Sequence, residues 1–132
     1  MSSLMSTNAY DYINVLDKAA DASWLRNDAI SNNLANVDTP GYKRQDIDFK
    51  SQLAQALKRS RYKTMDAKVA DVKMNRLSPI TYTDYASFSY RLDGNNVDVD
   101  TEGVYLAKNQ IVYQGLTQSI TQEFKNLQSV MR

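Results

Sequence analysis

Ile13, Leu16, Ala20, Ser23, Asn27, Ile30, Leu34 and Val37 recur at alternating spacings of three and four. That period winds one narrow stripe along a helix, the seam of a coiled coil rather than the broad face of a globular helix. A second stripe closes the chain. Leu106, Asn109, Tyr113, Leu116, Ile120, Glu123, Leu127 and Val130 repeat the spacing, and Phe124 and Met131 widen it. A long helix with a thin apolar stripe needs a partner along most of its length. Two such stripes at opposite ends of 132 residues therefore leave few folds open. The expected fold is mainly α: two long terminal helices pairing antiparallel as a coiled-coil-like bundle, with a small loop and β-hairpin module between them. Asn27 places a polar residue in the seam, where such residues fix register at some loss of stability.

The first helix, capped by Thr7 or Asn8, is expected to run to about Asn36, a length of about 40 Å. Trp24 and Tyr12 lie off its stripe and are available to neighbours. Asn36 and Asp38 favour a helix end. Thr39-Pro40-Gly41-Tyr42 fits a type II turn, with Pro40 presetting φ and Gly41 accepting a positive φ. A shorter helix is expected from Phe49 to Arg61, with Leu53, Ala56 and Leu57 as its apolar face. Ser60 to Ser78 is polar and basic and predicts a mobile connector. Ala86, Phe88, Tyr90 and Leu92 then alternate with polar residues, Asp93-Gly94-Asn95-Asn96 signals a turn, and Val97 and Val99 begin a return strand. Asp98, Asp100 or Thr101 caps the last helix, which runs to about Val130. The chain thus divides into an N-terminal core helix (1–40), a middle module (41–99) and a C-terminal core helix (100–132).

Composition narrows the chemistry. There is no cysteine and no histidine. Disulfides, thiolate metal sites and the commonest catalytic base are thereby absent, and an enzyme is not expected. Asp98-x-Asp100-x-Glu102-Gly103 resembles the opening of a calcium loop, but the twelfth position is Asn109, which cannot supply the bidentate carboxylate. Capping by these acids at the positive end of a helix is the better reading. Asp46-x-Asp48 is read as a loop-stabilising pair. Lys58-Arg59-Ser60-Arg61-Tyr62-Lys63 has the residues to hold a phosphate backbone but no recognisable binding fold around it, so neither nucleic acid nor a cofactor is expected. No apolar run approaches the roughly 20 residues that span a bilayer. Met1 to Thr7 has neither the basic nor the apolar region of a cleaved signal peptide. Charge is unevenly spread: residues 1–40 carry net −3, 41–76 net +6, 77–102 net −4 and 103–132 net +2. Such asymmetry suits complementary patches on a stacked subunit.

Asn32-Asn33-Leu34-Ala35-Asn36, followed by Thr39-Pro40-Gly41-Tyr42, resembles the N-terminal signature of bacterial flagellar rod and hook proteins. Lys43-Arg44-Gln45-Asp46-Ile47-Asp48-Phe49 and Gly94-Asn95-Asn96-Val97-Asp98-Val99-Asp100-Thr101-Glu102 narrow the resemblance to the basal-body rod family. So do Leu106-Ala107-Lys108-Asn109-Gln110 and Tyr113-Gln114-Gly115-Leu116-Thr117-Gln118. The resemblance implies a structural subunit of the proximal rod, in which terminal helices line an inner tube and the middle faces outward. It implies export without a cleaved signal peptide, through the flagellar export apparatus, to a periplasmic torque-transmitting shaft. Implied partners are other rod subunits and the adaptor joining the rod to the membrane-embedded ring. The family turn maps to Asn33, Leu34, Ala35, Asn36, Thr39, Pro40, Gly41 and Tyr42. The assembly seam is expected at Ile13, Leu16, Ala20, Asn27, Ile30, Leu34, Leu106, Tyr113, Leu116, Ile120 and Leu127, shared between an internal core and contacts with neighbours. Ala19, Ala20, Ala22 and Gly115 would allow close helix approach. Without the resemblance, periodicity alone fits equally a coiled-coil binding module that does not polymerise.

Overall fold

The computed structural model describes residues 9–59, 63–74, 79–85 and 91–131. The proposed caps Thr7 and Asn8, the centre of the basic cluster (60–62) and the alternating run through Ala86, Phe88 and Tyr90 lie outside them. Helix α1 spans Ala9–Ala35 and α4 spans Val99–Met131. Between them come strand β1 (Gln45–Asp48), helix α2 (Lys50–Arg59), helix α3 (Met65–Met74) and strand β2 (Ile80–Thr83).

The terminal helices pack antiparallel. Near the end of α1, Asn33 bonds Glu102 in the first turns of α4. A few turns earlier in α1, Ser23 bonds Asn109, further along α4. The first-helix seam is all buried or half-buried, and so is the last-helix seam except Val130, which is 69% exposed. Register is set by a polar pair buried in the seam. The Ser23 hydroxyl donates to Asn109 Oδ1 at 2.9 Å, and Asn109 Nδ2 donates to the Ser23 carbonyl at 2.7 Å. A one-turn slip would bury all of these groups without partners, which is how a polar residue specifies register.

α1 is wider than a two-helix seam requires. Ala22, Ala29 and Asn33 are also buried, on the flank that meets β1 and α3. This second face makes α1 the centre of the molecule rather than half of a simple pair.

Two features of the middle differ from the sequence expectation. Residues 65–74 form a helix, not a connector. Thr64 caps it, its hydroxyl accepting from Ala67 N–H at 3.2 Å, and Val69 is buried. The Tyr12 hydroxyl donates to Asp66 at 2.7 Å and fastens α3 to α1. The sequence of this helix carries no legible apolar stripe, so tertiary contact decides it. The antiparallel strand pair is present but joins β1 to β2, with Gln45 opposite Thr83 and Asp48 opposite Ile80. Val97 and Val99 form no return strand: Val97 is buried in an irregular segment and Val99 is the first residue of α4. Asp98 starts that helix two residues after the turn, its carboxylate accepting from Asp100 N–H at 3.0 Å and Thr101 N–H at 3.3 Å.

Candidate interaction site at the helix turn

The turn after α1 forms as its residues dictate. Tyr42 N–H donates to the Thr39 carbonyl at 3.2 Å, and Gly41 has φ +74°. Proline second and a positive-φ glycine third is the type II arrangement. The carbonyls of Asn36, Val37 and Thr39 at the α1 exit converge on one amide. Asn95 Nδ2 lies 2.8, 3.0 and 2.9 Å from them, so its two hydrogens are shared among three acceptors. Asn95 is 1% exposed, and its Oδ1 accepts from Val97 N–H at 2.8 Å. Gly41 N–H donates to the Asp93 carbonyl at 2.7 Å, Arg91 donates to the Val37 carbonyl, and Lys43 donates to that of Gly94. Gly94 also has positive φ, +80°, and a Cβ there would sit 3.7 Å from Gly41 Cα. Two glycine turns, far apart in the chain, thus lie back to back.

Beneath the turn, polar side chains are buried and paired. Asn33 is fully buried and uses its whole carboxamide. Nδ2 donates to the Gln45 carbonyl at 2.8 Å and to Glu102 at 3.3 Å, while Oδ1 accepts from Tyr42 at 3.1 Å and Gln45 N–H at 2.9 Å. Arg44, 5% exposed, donates to Glu102 at 2.5 Å, Asp84 at 3.0 Å and Asp46 at 3.3 Å. Asp46 in turn accepts from Arg26 of α1 at 2.8 Å. The Tyr105 ring of α4 packs beside both cations, its centroid 5.5 Å from the Arg26 guanidinium and 5.2 Å from that of Arg44. Asn96 accepts from Arg44 N–H and donates to the Asp84 carbonyl, each at 2.7 Å. α1, β1, the β2 exit and α4 are joined in one network, which we call the latch.

Burial works against the charge on Arg44, but hydrogen bonds to Glu102 and Asp84 and the nearby charge of Asp46 outweigh it and raise its pKa. Burial, then the charge of Glu102, raises the Tyr42 phenol, with Arg44 partly offsetting. Buried carboxylates held by guanidinium forks are positioned to clamp, not to transfer protons. Asp98 and Glu102 are likewise committed, to helix capping and to Arg44, so capping accounts for Asp98 in the calcium-like spacing. In the Asp46-x-Asp48 pair, Asp46 belongs to the latch and Asp48 accepts from Ser51 N–H at the start of α2 at 3.2 Å.

The expected site residues fall into two places. In the turn set, Asn33 is buried, Leu34, Asn36 and Tyr42 are half-buried, and Ala35, Thr39, Pro40 and Gly41 face solvent. The seam residues Ile13, Ala20, Ile30 and Leu127 are buried, and Leu16, Asn27, Leu34, Leu106, Tyr113, Leu116 and Ile120 half-buried, all within the α1–α4 pair. Ala20 and Ala22 are buried as close-approach positions, but Gly115 is not one within the chain: a Cβ there would meet nothing within 4 Å. Trp24 packs on Tyr113 with centroids 6.2 Å apart. Both line a shallow groove of about 350 Å³ with Ser23, Asn27, Asn109, Gln110 and Gln114. Sequence reasoning missed Arg26, Arg44, Asp84, Asn95 and Asn96 as site residues. For Arg44, Asn95 and Asn96 the only signal was alternating charge and clustered asparagine inside the stretches that carried the resemblance; Arg26 and Asp84 lie outside those stretches and gave none.

These features define a structural protein: a latched helix pair whose polar centre is used up in holding its own turn. The profile of the flagella basal body rod proteins matches residues 13–43, which covers most of α1, the turn and the start of the latch. Flagellar basal body rod protein FlgB of Bacillus subtilis is 34% identical over 116 residues, 88% of this chain and 89% of that protein. FlgB of Escherichia coli is 32% identical, covering 81% of this chain and 83% of that protein. FlgB of Borrelia hermsii is 32% identical over 94% of this chain and 93% of its own length. The chain belongs to the flagellar basal body rod protein family, and it is to FlgB members that it is similar. It is a structural component of the flagellar basal body, not an enzyme.

Proposed function

We propose that the chain is a subunit of the proximal rod that assembles through the outer flanks of its latched terminal helices into a periplasmic, torque-transmitting shaft. The observation that carries this reading is the distribution of exposed apolar side chains. Trp24 and Leu25 on α1, and Val104, Ile111, Val112, Phe124 and Val130 on α4, are all more than two-fifths exposed. They run along the same helices whose inner faces are already paired. Exposed apolar side chains recurring along helices that are already paired support an interaction surface. In this reading residues 1–40 and 100–132 form the inner core and 41–99 the outward module. Its partners are other rod subunits and the adaptor to the membrane ring, with the export apparatus met in transit. The helical symmetry of a shaft requires head-to-tail contacts that do not close.

The test is deletion of the gene in its host, followed by cryo-electron tomography of basal bodies. Membrane rings without a rod, restored by the intact gene, are expected. Complete rods and normal filaments in the deletion strain would leave the non-polymerising binding module as the better reading.

A further inference from the structure

α1 carries a further periodic face, on the flank of its pairing with α4 where Trp24 meets Tyr113. Asp17, Asp21, Trp24 and Asp28 follow one another at spacings of four, three and four, and all four are exposed. No basic side chain of the described residues pairs with any of the three carboxylates. The latch sharpens this imbalance, because it turns Arg26 inward to Asp46 and leaves Lys18 as the other cation of the helix. Asp17 and Asp21 stand four apart on a helix, where like charges repel and weaken it. A face that keeps such a pair with no ion-pair partner among the described residues is suited to an external cation.

The same chain presents matching cations elsewhere. Lys50 and Lys58 lie on one exposed face of α2, and Lys63 is exposed just before α3. None of them forms an ion pair among the described residues. Asp17 to Asp28 spans about 16 Å and Lys50 to Lys58 about 12 Å at the helical rise, so the two rows are of similar length. Both halves of a complementary contact are therefore on one chain, on separate elements, and neither is satisfied among the described residues.

We propose that the Asp17/Asp21/Asp28 face of α1 docks on the Lys50/Lys58/Lys63 face of a second copy of this chain, with Trp24 packed at the centre of the contact. The two surfaces differ, so the contact is heterologous and leaves a free acidic and a free basic face at its ends, ready to propagate. This rests on the assembly reading and adds, beside the flanks of the terminal helices, a contact between α1 of one subunit and the middle module of the next. Exposed charges contribute little affinity each but set orientation and make association depend on salt.

The test is sedimentation velocity of the full chain at about 0.05 M and 0.5 M salt, across which screening of exposed pairs rises steeply. The wild type is expected to associate at low salt and to dissociate as salt rises. Asp17→Lys/Asp21→Lys/Asp28→Lys, and separately Lys50→Asp/Lys58→Asp/Lys63→Asp, should each weaken association at least about tenfold while leaving the circular dichroism unchanged. The chain carrying all six reversals keeps the wild-type net charge and should associate again. A monomeric wild type at low salt, unchanged association in either reversed variant, or failure of the six-fold swap would overturn the proposal. The assembly reading fails by a different result, intact rods in the deletion strain. Normal rods built from a triply reversed variant would remove this contact alone.

Discussion

Asn95 has the most demanding position of any single residue. Its amide holds three carbonyls that end α1 and enter the turn, in a place closed to water. Asn95→Asp keeps the shape but aims a carboxylate at three acceptors. It should destabilise the chain by at least about 3 kcal/mol, and Asn95→Ala by about 2 kcal/mol, because buried carbonyls lose their donor in both. Urea unfolding of the two variants measures this, and equal midpoints would show that the contact is dispensable. The residue was visible in the sequence as part of a turn signal, Asp93-Gly94-Asn95-Asn96, and of a stretch that carried the resemblance. A turn signal fixes local φ values. It says nothing about which distant carbonyls a side chain will meet, so the role of Asn95 emerges only when residues 36–41 and 93–97 are brought together. Gly41 was legible for the opposite reason: proline followed by glycine settles the conformation within four residues.

At the scale of elements, local periodicity separates what was legible from what was not. Both terminal helices and their seams follow from a three-four spacing sustained over many turns, and their antiparallel pairing follows from having no other cover. α3 has no such spacing and owes its helix to Thr64 and to contacts with α1. The β1–β2 pair joins segments separated by two helices, a pairing no local pattern encodes. Gly115 provides a test of what the outer face of α4 does. A mid-helix glycine costs about 1 kcal/mol relative to alanine, and here a Cβ meets nothing. Gly115→Ala should therefore raise the stability of the isolated chain by about 0.5–1 kcal/mol. If that face packs closely on a neighbour, as the assembly reading requires, the same variant should reduce motility in soft agar. A stabilised chain with normal motility would place the close contact elsewhere on the helix.

The whole molecule is a latched pair of helices with its charges sorted: cations and carboxylates neutralised in the centre, acidic and basic rows left outside. This arrangement fixes a pH dependence. Tyr42 is raised by burial and by Glu102, Tyr82 by burial and by Asp46, and Tyr12 mainly by its hydrogen bond to Asp66, all from an ordinary value near 10. A phenol whose folded pKa lies above its unfolded value stabilises the fold fully below pH 10, and that contribution is lost as pH rises through the folded value. Stability from these groups should thus be level through neutrality and fall in the alkaline range above about pH 10. Tyr42→Phe should blunt the fall, as read from urea midpoints against pH. The central claim is that the α1–α4 pair, latched at residues 33–46 and 91–102, enters the rod as a unit and builds its inner wall. A cryo-electron microscopy map of the intact basal body, at a resolution that separates helices, tests it most directly. The account predicts antiparallel α1–α4 pairs lying side by side along the inner wall, with Arg44 against Glu102 in each subunit and the middle module facing outward. Terminal helices separated from each other, or a rod in which this chain has no density, would contradict it.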